Sequence, residues 1–433
     1  MTFVSRLKGA AIGAFLGTDA VRHTAAELRR KVTGGKRSVD FWFDLADPWS
    51  YLAAQAAHRL AAAYPIDLRF HLVSPPAADV DPAPLLRGKH AVRDAIELAQ
   101  HWNLDFPGKK ELEPGSLRKA GQVLIRPRPD GEQLAIALEL GNALWTRDDK
   151  ALVALMGKHG TESSGSLPPY LAGAYATLRN AGHYQGAMFA YGGDWYWGID
   201  RLSYLETRLR EDTGTTAPPV LTARPESGRP PEKLTGITTP ASLEFWFSFR
   251  SPYSYLALGR TGELAAQHGL ELRIRPVLPM VARGLTVPRD KRLYIVRDAH
   301  REAERLGIPF GNVCDPLGTG VDNALAISKL AIDRGLGLAF LESAARGAWA
   351  EAKDLASYVD LRQVVERAGL EWNDARAALA DDSWRVWAQD NAADLDGAGL
   401  WGVPCWRIGD HVTWGQDRLP MLADRVRRHF AAA

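Results

Sequence analysis

Leu243-Glu-Phe-Trp-Phe-Ser-Phe-Arg-Ser-Pro-Tyr-Ser-Tyr-Leu-Ala257 is the stretch that decides the fold. Leu243, Phe245, Phe247 and Phe249 alternate with Glu244, Trp246 and Ser248, the period of a β-strand, and the aromatic content suits a buried sheet. A helix start follows at once: Ser251 has the chemistry of an N-cap, Pro252 that of the first helical position, and Tyr255, Leu256 and Leu258 open an apolar face. A strand ending at a helix N-terminus sets one side chain beside unpaired backbone N–H groups and the positive end of the helix dipole, where an anion is favoured. Here that side chain is Ser251.

Working outward, Val39-Asp-Phe-Trp-Phe-Asp-Leu-Ala-Asp-Pro-Trp-Ser-Tyr-Leu-Ala53 repeats the pattern. Residues 41–53 share eight of thirteen positions with 245–257 (Phe41, Trp42, Phe43, Pro48, Ser50, Tyr51, Leu52 and Ala53), which reads as an internal duplication. Each copy continues with a second strand, over residues 66–73 and 270–278, and so forms a strand–helix–strand unit with parallel strands. Helical periodicity follows at 90–102 and 133–145 in the first copy, and at 291–306, 321–333 and 345–355 in the second. A hairpin and a last helix close each copy. The fold class expected is α/β: two tandem thioredoxin-like domains, each with an inserted helical subdomain. The boundaries read as a helical extension at 1–37, a first domain at 38–212, a Thr/Pro/Gly-rich linker at 213–240 and a second domain at 241–433.

Composition narrows the function. With 53 Lys and Arg against 51 Asp and Glu, the formal charge of +2 argues against nucleic acid or an acidic membrane as partner. Cys314 and Cys405 are the only cysteines and form no CxxC, so neither a disulfide framework nor a zinc site is indicated, and a cytoplasmic setting is expected. No stretch reaches the roughly 20 apolar residues of a membrane span. Arg6 and Lys8 before the short apolar run 10–16 carry only a faint signal-peptide pattern; an N-terminal helix docked on the first domain is the preferred reading.

Five separated motifs carry a family resemblance: residues 248–257, Arg275-Pro-Val-Leu278, residues 297–310, Gly402-Val-Pro404 and Trp414-Gly-Gln-Asp-Arg-Leu419. Together they resemble the 2-hydroxychromene-2-carboxylate isomerases and the kappa-class glutathione transferases, within the DsbA-like thioredoxin superfamily. The resemblance spans almost all of the second copy and only the two ends of the first. It implies glutathione chemistry. Ser251 would stand where disulfide oxidoreductases keep a cysteine and would donate a hydrogen bond to the glutathione thiolate, lowering its pKa. Pro404 would be a cis-proline, Val403 would offer its backbone to the tripeptide, and Gln416 and Asp417 would hold the γ-glutamyl end. The implied reaction is isomerisation or transfer on a small conjugated, aromatic electrophile, by thiolate addition and elimination.

The first copy departs from this pattern. Asp47 occupies the Ser251 position, an excellent N-cap that repels a thiolate, and Met188 is read as standing where the second copy has Pro404. The first copy is therefore expected to be non-catalytic and to serve as an internal pseudo-dimer partner, which would let the chain work as a monomer. Cys405 reads either as inert packing or as a thiol able to form a mixed disulfide, and Lys291, Arg292, Arg297 and His300 either as a substrate entrance or as a solvated face. Two alternatives stay open: a thiol–disulfide oxidoreductase relative, and a non-catalytic glutathione- or peptide-binding scaffold.

Overall fold

Two sheets of the same order form around the two similar strand-to-helix stretches. In the computed structural model, which describes residues 12–222 and 234–431, β1 (Ser38–Asp44) pairs in parallel with β2 (Asp67–Val73) and antiparallel with β3 (Met188–Tyr191), which turns into β4 (Asp194–Trp197). The second sheet repeats this with β5 (Ser242–Phe247), β6 (Glu271–Pro276), β7 (Cys405–Ile408) and β8 (His411–Trp414). Their orders are β2-β1-β3-β4 and β6-β5-β7-β8.

Helix α1 (Asp19–Thr33) precedes the first sheet and α2 (Pro48–Ala63) joins β1 to β2. The first insert holds α3 (Pro84–Trp102), α4 (Pro114–Leu124), α5 (Asp130–Thr146), α6 (Asp149–His159) and α7 (Leu167–Ala181), and α8 (Leu202–Thr213) follows the hairpin. In the second half α9 (Pro252–Gln267) joins β5 to β6. Its insert holds α10 (Arg289–Leu306), α11 (Thr319–Asp333), α12 (Gly337–Ala350), α13 (Tyr358–Arg367), α14 (Trp372–Ala378) and α15 (Ser383–Gly397), and α16 (Leu419–Ala431) ends the described chain.

The alternation in β5 separates two buried faces rather than a buried from a wet one. Leu243, Phe245 and Phe247 join the main core, with Phe245 stacked on Trp406 at 5.5 Å, while Trp246 packs on the other side against Val277, Leu395, Leu400 and Cys405. Helices on both faces exclude water from the central strand, and each fully buried Phe contributes roughly 2–3 kcal/mol. In the first sheet Phe41 and Phe189 take the same places, stacked at 4.5 Å. The β3–β4 hairpin turns on Gly192 and Gly193, whose positive φ values of 54° and 86° suit a two-residue loop following the sheet twist.

Some expected boundaries move. The helix expected at 345–355 lies earlier, as α12, and ends at Ala350; beyond it Ala352 takes a left-handed φ of 52°, its N–H bonding to the Asn312 carbonyl. The described residues separate into two compact units: 19–222 in one, and 12–18 with 234–431 in the other. The N-terminal segment is thus divided. Helix α1 belongs to the first unit through Arg22 to the Gly193 carbonyl and His23 to Asp194. The helical turn at 12–16 belongs to the second, with Ile12 on its main core. Arg6, Lys8 and the start of the apolar run lie outside the described residues, as does 223–233 of the expected linker. The linker's flanks are anchored: Glu206 accepts from the N–H groups of Val220 and Leu221, and Leu234 is buried in the second unit's core.

Candidate functional site

Ser251 caps α9 as its sequence demands. Its φ and ψ of −102° and 111° are extended, Pro252 opens the helix, and its Oγ accepts from the Ser254 N–H at 3.1 Å. The Ser251 hydroxyl donates to the Val403 carbonyl at 3.3 Å, and the Val403–Pro404 peptide is cis, so the structure brings Ser251, Val403 and Pro404 together. The insert pins this junction from several sides. Trp349 Nε1 donates to the Phe249 carbonyl at 3.0 Å, Arg250 pairs with both Asp315 oxygens at 2.9 and 3.0 Å, and the Tyr255 hydroxyl reaches the Pro309 carbonyl at 2.8 Å.

Gln416 does not join this set. It is 1% exposed, its Nε2 donates to Glu302 at 2.7 Å and its Oε1 accepts from Arg260 at 3.0 Å, so both ends of the amide are committed inside the protein. Asp417, beside it, keeps 18% of its side chain exposed and lies 3.7 Å from Arg418. Gly415 makes room for it: at a φ of 106°, a Cβ there would come within 2.6 Å of Asp417 Oδ1.

Cys405 is fully buried with Sγ against the Gly402 carbonyl at 2.9 Å, and burial pushes its thiol well above the ordinary range. Of its two readings, packing is the one the geometry supports. Burial likewise pushes Cys314 up to about 11. On α10, Arg292 is exposed, and the Arg297 guanidinium lies 4.2 Å over the Phe15 ring rather than open to solvent.

The first unit builds the same junction with different side chains. Asp47 caps α2 at φ −97° and ψ 116°; its Oδ2 accepts from the Ser50 N–H at 3.1 Å and the Ser50 hydroxyl at 2.9 Å, and Arg87 lies 3.5 Å from Oδ1. Arg87 also pairs with Asp81 at 2.9 Å. Asp44, 1% exposed, accepts from the Ala46 N–H through Oδ1, while its Oδ2 has no hydrogen-bond partner. Burial, and then the neighbouring Asp47 charge, pushes Asp44 up to about 7; burial also raises Asp47, against the pull of Arg87. Sheet register corrects one sequence assignment. Trp42 pairs with Met188 and Trp246 with Cys405, so Met188 matches Cys405, and Ala187, with a φ of 56°, is the counterpart of Pro404. The spacing back from Trp197-Gly-Ile-Asp-Arg-Leu202 and Trp414-Gly-Gln-Asp-Arg-Leu419 gives the same match.

Sequence reasoning missed a second conserved geometry within the chain. Tyr253, two residues after the cap, donates to the buried Asp298 at 2.7 Å, and Trp49 donates to the buried Asp94 at 2.7 Å in the first unit. Both pairs recur at the spacing that separates the two junctions, inside Arg93-Asp-Ala95 and Arg297-Asp-Ala299. That recurrence was the available signal.

The DSBA-like thioredoxin domain family matches residues 242–427. The chain is similar to 2-hydroxychromene-2-carboxylate isomerase of Pseudomonas sp. (strain C18), 27% identical over 194 residues that make up 42% of this chain and 89% of that protein. It is also similar to the enzyme of the same name from Pseudomonas putida, 26% identical over 43% of this chain and 94% of the other. A solved structure of 2-hydroxychromene-2-carboxylate isomerase covers 44% of this chain and 98% of its own, at 26% identity and a TM-score of 0.39. Residues 242–427 of the chain are a DsbA-like thioredoxin domain.

Proposed function

We propose that the second unit is a glutathione-dependent isomerase acting on a small conjugated aromatic electrophile, with the first unit as its non-catalytic partner. The observation that carries this reading is the Ser251 hydroxyl, held at a helix N-terminus and 3.3 Å from the Val403 carbonyl before a cis-proline. The relatives named as isomerases support the reaction class.

The donor set fits glutathione. Ser251 supplies one O–H, the N-terminus of α9 supplies the positive end of a helix dipole, and Asp417 presents a carboxylate suited to an α-ammonium. Glutathione, when bound, supplies a thiolate that adds reversibly to a conjugated carbon. Ser251 keeps that sulfur ionised near neutrality by donating its proton as a hydrogen bond, without becoming a nucleophile itself. The Val403 backbone orients the tripeptide beside it. A dithiol cycle lacks its chemistry here, since both cysteines are buried and their thiols are raised.

The test is cis–trans isomerisation of a hydroxylated chromene carboxylate by the full chain, with and without glutathione. Turnover that requires glutathione and collapses in Ser251→Ala supports the reading; turnover indifferent to both overturns it.

A further inference from the structure

Beside Ser251, two buried hydroxyls, those of Ser248 and Ser254, are left without a partner, and the one on α9 sits directly behind the cap. Ser254 is fully buried, and its Oγ has no hydrogen-bond partner although its backbone N–H donates to Ser251 Oγ at 3.1 Å. Burying a hydroxyl without a hydrogen bond is unfavourable, so such a group beside a binding site points to a bond completed when the site works.

The first unit shows what that bond is. Ser50 holds the matching place on α2, after a cap whose backbone angles differ from those of Ser251 by only a few degrees. There the serine is turned onto the cap. Its N–H and its hydroxyl both donate to the same Asp47 oxygen, at 3.1 and 2.9 Å, while its Oγ accepts from the Asp44 N–H at 3.2 Å.

We propose that Ser254 is a positioning residue that donates its hydroxyl hydrogen to Ser251 Oγ and so directs the Ser251 proton onto the glutathione thiolate. This role rests on the glutathione reading above. A serine hydroxyl has one hydrogen and two lone pairs. With the N–H and O–H of Ser254 filling both lone pairs, the Ser251 hydrogen can only point away from α9, toward the Val403 carbonyl that it meets in this structure and toward sulfur in the complex. Polarisation along the two hydrogen bonds makes Ser251 the stronger donor. No covalent bond is made or broken.

The experiment uses the full chain and glutathione itself. Two quantities are read: the dissociation constant by calorimetry, and the ionisation midpoint of the bound thiol from the ultraviolet absorbance of its thiolate across pH. Ser254→Ala is expected to raise that midpoint by roughly 0.5–1 pH unit. Its melting temperature should be unchanged or higher, because the variant removes an unpaired buried hydroxyl. In a Ser251→Ala background the same substitution should shift the midpoint no further, since the chain of bonds is already broken. A midpoint that moves in Ser251→Ala but not in Ser254→Ala overturns this role alone. An equal shift in both backgrounds also overturns it. Failure of the unaltered chain to bind glutathione overturns the glutathione reading and this role with it.

Discussion

The junctions at Asp47 and Ser251 share a backbone and differ in what their caps have left to give. Asp47 is closed by the protein: Ser50 donates to it twice, Arg87 stands beside it, and Asp44 lies buried behind it. Ser251 accepts one bond and retains a proton that reaches only the Val403 carbonyl. A carboxylate cap uses up a helix N-terminus, whereas a hydroxyl cap adds a donor to it. The same fold thus builds a sealed acidic cluster in one unit and a half-open donor site in the other.

The contrast can be broken most forcefully at Arg87. Arg87→Met leaves buried carboxylates uncompensated and is expected to destabilise the first unit by about 3–5 kcal/mol near pH 8. The loss should shrink in acid as those carboxylates take up protons. Hydrogen exchange in β1 and α2 at several denaturant concentrations measures it, and an unchanged exchange pattern would show that the cluster is not held by that pairing.

Asp44 gives a somewhat smaller effect with a definite sign. Its carboxyl ionises near 3.8 when free and is pushed up to about 7 in the fold. The folded state therefore holds the proton more tightly, so this contribution to stability is complete below about 4 and is lost as pH rises through about 7. Asp44→Asn should stabilise the first unit by roughly 2–4 kcal/mol near pH 8 and leave it nearly unaltered in acid. Equal stabilisation at all pH values would mean that the side chain is not titrating.

At the other junction, Ser251→Ala should lower glutathione-dependent turnover roughly 10–100-fold, the worth of a hydrogen bond to a charged sulfur. Asp47→Ala should leave that turnover unchanged; a parallel loss would bring the first unit into the reaction. The smallest effect is expected at Cys405. Cys405→Ala should cost about 1 kcal/mol of stability through a small cavity and leave turnover intact, and a collapse in turnover would put the thiol into the chemistry.

Local patterns made much of this legible. The period-2 aromatics of β5, the Ser-Pro start of α9 and the adjacency of Val403 and Pro404 each depend on residues close in the chain, and each is found where the pattern placed it. Long-range packing decided the rest. Gln416 reads as a ligand donor until Glu302 and Arg260, far away in sequence, take both ends of its amide. The extent of α12 likewise follows from contacts that no local period reports.

By itself the sequence determined the strand-to-helix stretch, its recurrence, and the exchange of Ser251 for Asp47, because caps and strand periods are written in neighbouring residues. Only the tertiary structure decided that Asp47 is neutralised from within by Ser50 and Arg87, that Gln416 turns inward, and that Ser254 is buried without a partner. Hydrogen-bond satisfaction is a property of everything that packs around a group, so it exists only once the chain has folded.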